Sequence, residues 1–110
     1  MEAIDIRYTE IHLGDDFSDR LEYTYRKDGE HSAEEFLNDV LIPALIDYEE
    51  VIVYFNNVKV CSRNFIHKAF GDLIREGFEY EDLVNKLKIV SSNKIWIDMV
   101  WNSIDEACNV

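Results

Sequence analysis

The chain is predicted to be an α/β domain, a small mixed sheet of four strands carrying three helices, with residues 1–110 forming one domain. Three observations carry that expectation. Short alternating or continuous apolar runs at 4–13, 21–25, 51–55 and 87–90 have strand character. The segments that follow Ser32, Ser62 and the run Ser91, Ser92 and Asn93 instead repeat apolar residues at helical spacing behind a candidate capping side chain. With 110 residues, 47% of them hydrophobic and 13% aromatic, the chain can fill one core, and its single Pro and four Gly leave little room for long irregular segments.

Ile4, Ile6, Tyr8, Ile11 and Leu13 give the first strand an approximate period of two, and Gly14, Asp15 and Asp16 end it. Leu21, Tyr23 and Tyr25 alternate with Glu22, Thr24 and Arg26, which predicts a second half-buried strand antiparallel to the first, closed at Lys27, Asp28 and Gly29. Ser32 and Glu35 have capping-box spacing, in which the hydroxyl accepts from the helix and the carboxylate reaches back to the amide of the cap. Phe36, Leu37, Val40, Leu41, Ala44 and Leu45 form the apolar face of the helix that follows. Pro43 lies inside that helix, without a backbone donor, and predicts a kink or a tightened last turn.

The most informative stretch is 51–74. Val51 to Phe55 is a run of β-branched and aromatic residues suited to a strand covered on both faces, and Asn56 and Asn57 end it. Phe65, Ile66, Ala69, Phe70, Leu73 and Ile74 then mark one helical face, with Arg63, Asn64, His67, Lys68, Asp72 and Arg75 opposite. Ser62 stands at the N-cap and Gly77 where a left-handed turn would release the chain, so the helix is bounded at about 63–76. Tyr80 to Lys86 reads as a short helical turn and Leu87 to Val90 as a strand. A last helix, carrying Ile97, Val100, Trp101, Ile104 and Cys108 on one face, runs to about 107. Trp96 lies off that face and is either buried against a loop or, if exposed, an interface anchor.

Charge excludes one class of partner. Residues 1–55 hold 4 Lys/Arg against 15 Asp/Glu, nearly the whole net charge of −12, so a direct nucleic-acid contact is disfavoured. Arg63, Asn64, His67 and Lys68 are a local, partly basic reversal that suits an acidic or phosphate-bearing partner. No run approaches the length of a membrane span and the N-terminus has no signal-peptide layout, which predicts a soluble, cytoplasmic protein without membrane contact. Cys61 and Cys108 belong to no CxxC spacing and His12, His31 and His67 are scattered, so neither a metal site nor a cofactor is expected. With no nucleophile turn, no Gly-rich phosphate loop and no helix-borne carboxylate cluster, no enzymatic activity is expected.

The segments HSAEEFLNDVLIPAL, VIVYFNNVKVCSRNFIHKAFGDLI and KIVSSNKIWIDMVWNSIDEA, across roughly residues 20–107, resemble the bacterial STAS-like proteins of unassigned function, relatives of the anti-sigma-factor antagonists. The resemblance implies a regulatory protein-binding module. Antagonists present the start of the helix after the central strand to an ATPase-fold kinase, and a phosphate on a serine there releases the partner. STAS-like relatives are often encoded beside, or joined to, histidine-kinase-type ATPase domains. The antagonist motif Asp-Ser-Ser-Gly is here Ser62, Arg63, Asn64 and Phe65, so neither residue at the paired serine positions accepts a phosphate and Ser62 is the one hydroxyl left. Tyr54 and Phe55 also replace the Asp that usually ends the strand. The expected partner-binding residues are therefore Asn57, Ser62, Arg63, Asn64, His67 and Lys68, with Ser62 a weak phosphorylation candidate and a homodimer a further expectation. The alternative is an acidic decoy that inhibits a nucleic-acid-binding protein, which would need its carboxylates in rows at phosphate-like spacing.

Overall fold

The computed structural model of the protein describes residues 7–109. Three parallel strands, β1 (Tyr8–His12), β3 (Glu50–Tyr54) and β5 (Leu87–Val90), form one sheet in the order β1-β3-β5. A separate parallel pair joins β2 (Arg20–Leu21) to β4 (Val60–Cys61). The helices are α1 (33–47), α2 (63–75), α3 (Tyr80–Lys86) and α4 (Lys94–Cys108). With the π-helical turn Leu13–Phe17 they make five helices among the described residues, beside one 3₁₀ turn at Arg26–Asp28.

This corrects the expected mixed sheet of four strands with three helices. The antiparallel opening pair is absent because the segment after Leu21 serves a helix instead of a strand. The carbonyls of Tyr23 and Thr24 accept from the Ala33 and Glu34 amides at 2.8 and 3.0 Å, occupying donors that the first turn of α1 leaves free. Tyr23 and Tyr25 are accordingly exposed. The expected first strand begins at Tyr8, and its portion from Ile4 to Ile6 lies outside the described residues. Parallel pairing follows from connectivity, since β3 and β5 each return to the sheet after a helix.

Local signals hold more closely at the helix ends. Ser32 Oγ accepts from the Glu35 amide at 3.1 Å, Ser62 Oγ from Phe65 at 3.0 Å and Asn93 Oδ1 from Ile95 at 3.0 Å. Glu35 does not reach the Ser32 amide as expected; it accepts from His31, one residue earlier, where a left-handed turn at φ 59° redirects the backbone. Gly77 releases α2 at φ 101°. Pro43 is preceded by a widened turn and not by the tightened one: Leu37–Leu41 is π-helical, with the Ile42 amide donating to the Leu37 carbonyl. The extra residue in that turn shifts the preceding carbonyls out of register with the proline ring.

The core lies on one side of the main sheet. Ile11, Val51, Val53 and Leu87 are buried there with Phe36, Leu41, Leu45, Phe65, Phe70 and Ile104. Phe36 connects the elements, with ring centroids 5.3 Å from Phe17, 6.2 Å from Phe65 and 6.1 Å from Phe70. Among the described residues nothing covers the other face: Ile52 and Tyr54 are only half-buried and stand outside the core cluster. Among the described residues the expectation of a central strand covered on both faces is therefore corrected, because the alternate residues of Val51 to Tyr54 meet the core on one face alone.

Gly14 fixes how the turn after β1 meets the loop after β3. A Cβ on Gly14 would stand 2.3 Å from the Asn56 carbonyl oxygen and 2.5 Å from the Asn57 carbonyl carbon, both main-chain atoms. Gly14→Ala is expected to lower unfolding stability by about 2 kcal/mol through overpacking, read as a lower urea midpoint at unchanged m-value.

Candidate functional site

The junction from β3 to α2 is built from a sharp turn and a cap. Phe55 is buried, the Val58 amide donates to its carbonyl at 3.2 Å, and Asn57 takes a left-handed conformation at φ 65°. Asparagine tolerates that region better than most side chains. Its amide Nδ2 donates to Asp15 Oδ1 at 2.8 Å, so the turn after β1 holds the junction from the side. The chain then pairs with β2, the Ser62 amide donating to the Leu21 carbonyl at 2.8 Å, before Ser62 caps α2.

From the cap onward, the helix has two unlike faces. Phe65, Ile66, Ala69, Phe70 and Leu73 are fully buried, which fixes the rotation of α2 about its axis. Gly71 continues the contact on the α4 side, where a Cβ would sit 3.2 Å from the Ser103 carbonyl oxygen. Arg63, Asn64 and His67 are left exposed.

The six expected site residues therefore separate into distinct environments. Asn57 bonds to the turn after β1, and Ser62 spends its oxygen on the cap. Arg63 projects from the first turn of α2 and forms no ion pair with a described residue. Asn64, His67 and Lys68 line an open groove of about 730 Å³, together with Thr24, Tyr25, Arg75 and Glu106.

Lys68 is the most constrained of them. Its ammonium donates to Asp72 Oδ2 at 2.7 Å and lies 5.2 Å from the centre of the Tyr25 ring, with only 23% of the side chain exposed. The bond to Asp72 raises its pKa above the ordinary lysine value, against the opposing effect of burial. Its charge is thus largely answered within the chain, and Arg63 and Arg75 are the cations that face outward. Trp96, the alternative anchor, is half-buried against the core with its ring 5.7 Å from Phe55.

Two further features have no local signature in the sequence. Tyr25 reaches Lys68 across 43 residues of chain because the 23–24 carbonyls tie its segment to the start of α1. On the open sheet face the His12 ring stacks on Tyr54 at 4.5 Å, and both contact Glu10, through His12 Nε2 at 3.3 Å and the Tyr54 hydroxyl at 3.4 Å. Their juxtaposition depends on strand register, which pairs His12 with Tyr54. Reduced solvation, then the Glu10 charge, raises the Tyr54 pKa. Among the described residues, no group of three or more His, Cys, Asp or Glu side chains is placed to hold a metal ion, and no helix is long and apolar enough to cross a membrane.

A family model described as a STAS-like domain of unknown function matches residues 32–95, from the cap of α1 through β5 and into the first turn of α4. No curated protein and no solved structure matches the chain.

Two measurements check the local chemistry. Ser62→Ala removes the cap of α2 and is expected to cost about 1 kcal/mol, seen in equilibrium unfolding, with Ser62→Asp recovering most of it. Burial pushes the Cys61 thiol up to about 12 whereas Cys108 is exposed. At pH 8 a thiol reagent should label Cys108 much faster than the half-buried Cys61, since the thiolate is the reactive form; equal rates at the two positions would contradict the raised pKa of Cys61.

Proposed function

The chain belongs to the STAS-like domain family, and on that premise we propose that it is a non-enzymatic regulatory module that docks a protein partner through the loop after β3 and the start of α2. The observation that carries this reading is the two-faced α2, which holds Arg63, Asn64 and His67 exposed on a helix whose opposite side is fully buried. The buried side of α2 fixes the backbone from which these side chains project, so binding has to order the side chains and not the helix. Arg63 also adds its charge to the positive end of the helix, a combination that suits an acidic surface on the partner. By its resemblance to the anti-sigma-factor antagonists, the partner is an ATPase-fold protein of the histidine-kinase type.

The phosphate switch of those relatives does not carry over. Arg63 and Asn64 occupy the paired serine positions, and the Ser62 oxygen is committed to the Phe65 amide. Docking is then independent of phosphorylation at the helix start. The acidic-decoy alternative is less well supported, because many of the carboxylates it needs serve their own chain. Asp15 accepts from Asn57, Asp16 from the His12 amide, Glu34 from the Arg26 amide and Glu35 from the His31 amide, while Asp39 pairs with Arg26.

Isothermal titration against an ATPase-domain protein encoded beside this chain tests the reading. Arg63→Glu combined with Asn64→Ala is expected to weaken binding at least about tenfold, or roughly 1.4 kcal/mol. Unchanged affinity would place the contact elsewhere, and no binding by the unaltered chain would remove the partner assignment.

A further inference from the structure

The outer face of the β1-β3-β5 sheet takes no part in the docking surface and is physically unusual. Parallel sheets ordinarily have both faces covered. Here Ile52, in the middle of the central strand, is half-buried outside the core cluster, while Tyr8 is 57% and Val90 40% exposed on the flanking strands. The run Val51 to Phe55 nonetheless has the composition of a strand buried on both sides. The described residues supply a cover for only one of them.

Strand register indicates what the missing cover is. Glu10 pairs with Ile52 and Ile52 with Lys88, so the three form one row across the sheet; His12, Tyr54 and Val90 form another on the same face. A half-turn about an axis parallel to β3, above this face, lays β1 of one copy over β5 of the other and preserves strand direction. It brings Glu10 against Lys88 of the second copy, Ile52 against its own equivalent, and His12 against Val90 of the second copy. Glu10 is already oriented by His12 and Tyr54, and Lys88 is exposed with no ion-pair partner among the described residues. Opposite charges on the two edge strands with an apolar centre make the face complementary to itself, as a two-fold interface requires.

We propose that this face is a homodimer interface, in which two copies pack sheet on sheet with Glu10 of each facing Lys88 of the other. The face measures only about 14 by 16 Å from strand spacing and rise, small beside the roughly 800 Å² per partner of a standard interface. Glu50 also lies on the axis, at the rim, where it meets its own equivalent. The dimer is therefore reversible and concentration-dependent.

Sedimentation equilibrium of the full chain, over a concentration series at about 0.15 M salt, tests this; there the screening length of about 8 Å damps the repulsion between two highly acidic copies. A monomer–dimer equilibrium is expected. Glu10→Lys and Lys88→Glu should each weaken it about tenfold, and the two together should restore it to within about threefold, because the swap rebuilds both pairs. Ile52→Asp should abolish the dimer while circular dichroism and the thermal midpoint report an intact monomer, since Ile52 is outside the core. Arg63→Glu should leave the dimer unchanged, which separates this surface from the docking surface. A monomer at every concentration, a dimer indifferent to Ile52→Asp, or a charge swap that recovers nothing would overturn the proposal.

Discussion

Burial on a single side of the main sheet is the constraint from which the other features follow. Ile11, Val51, Val53 and Leu87 supply the sheet's contribution to the core, and Phe36, Phe65 and Phe70 supply much of what meets it. Each fully buried side chain of that size contributes roughly 1.5–3 kcal/mol relative to exposure, so the direction of α2 and its rotation about its axis are set before any polar residue is considered. The polar side of α2 points outward because the apolar side has nowhere else to go.

That fixed rotation gives the start of α2 its character. Ser62 satisfies a free amide, Asn57 and Asp15 hold the preceding turn, and Gly14 lets two loops approach closely enough for that bond to form. None of these groups is spare. Lys68 is likewise engaged, by Asp72 and Tyr25. What remains available at the helix start is Arg63, Asn64 and His67, a small set of side chains on a stable base in an otherwise acidic protein. Exposed side chains on a rigid base are the arrangement that the proposed docking role requires.

Elements specified within a short stretch were legible in the sequence. The stripe from Phe65 to Leu73, the Ser62 cap and the Gly77 exit bounded α2 to within a residue, because each signal acts over one or two helical turns. The β2–β4 pair was not legible, being two residues long on each side and held partly by main-chain bonds to Asp19 and Leu21 that leave no mark on composition. Tyr23 and Tyr25 alternate like a strand, yet the chain there serves the start of α1. The widened turn before Pro43 was also missed, since a proline signals that the regular ladder is interrupted without saying how. At the candidate site, the exposure of Arg63, Asn64 and His67 followed from helical spacing, whereas the engagement of Lys68 required Tyr25 from a distant segment.

The uncovered sheet face was the least legible feature and is the one with the widest consequences. An apolar central strand reads the same whether its second cover comes from its own chain or from another molecule. The most direct measurement is methyl NMR of the dilute protein with a soluble paramagnetic probe, comparing Ile52 with Val51 and Val53. A one-sided core predicts strong broadening of the Ile52 methyls and little effect on the two valines. Equal protection of all three at dilution would contradict it, by showing that the chain covers both faces of its own sheet.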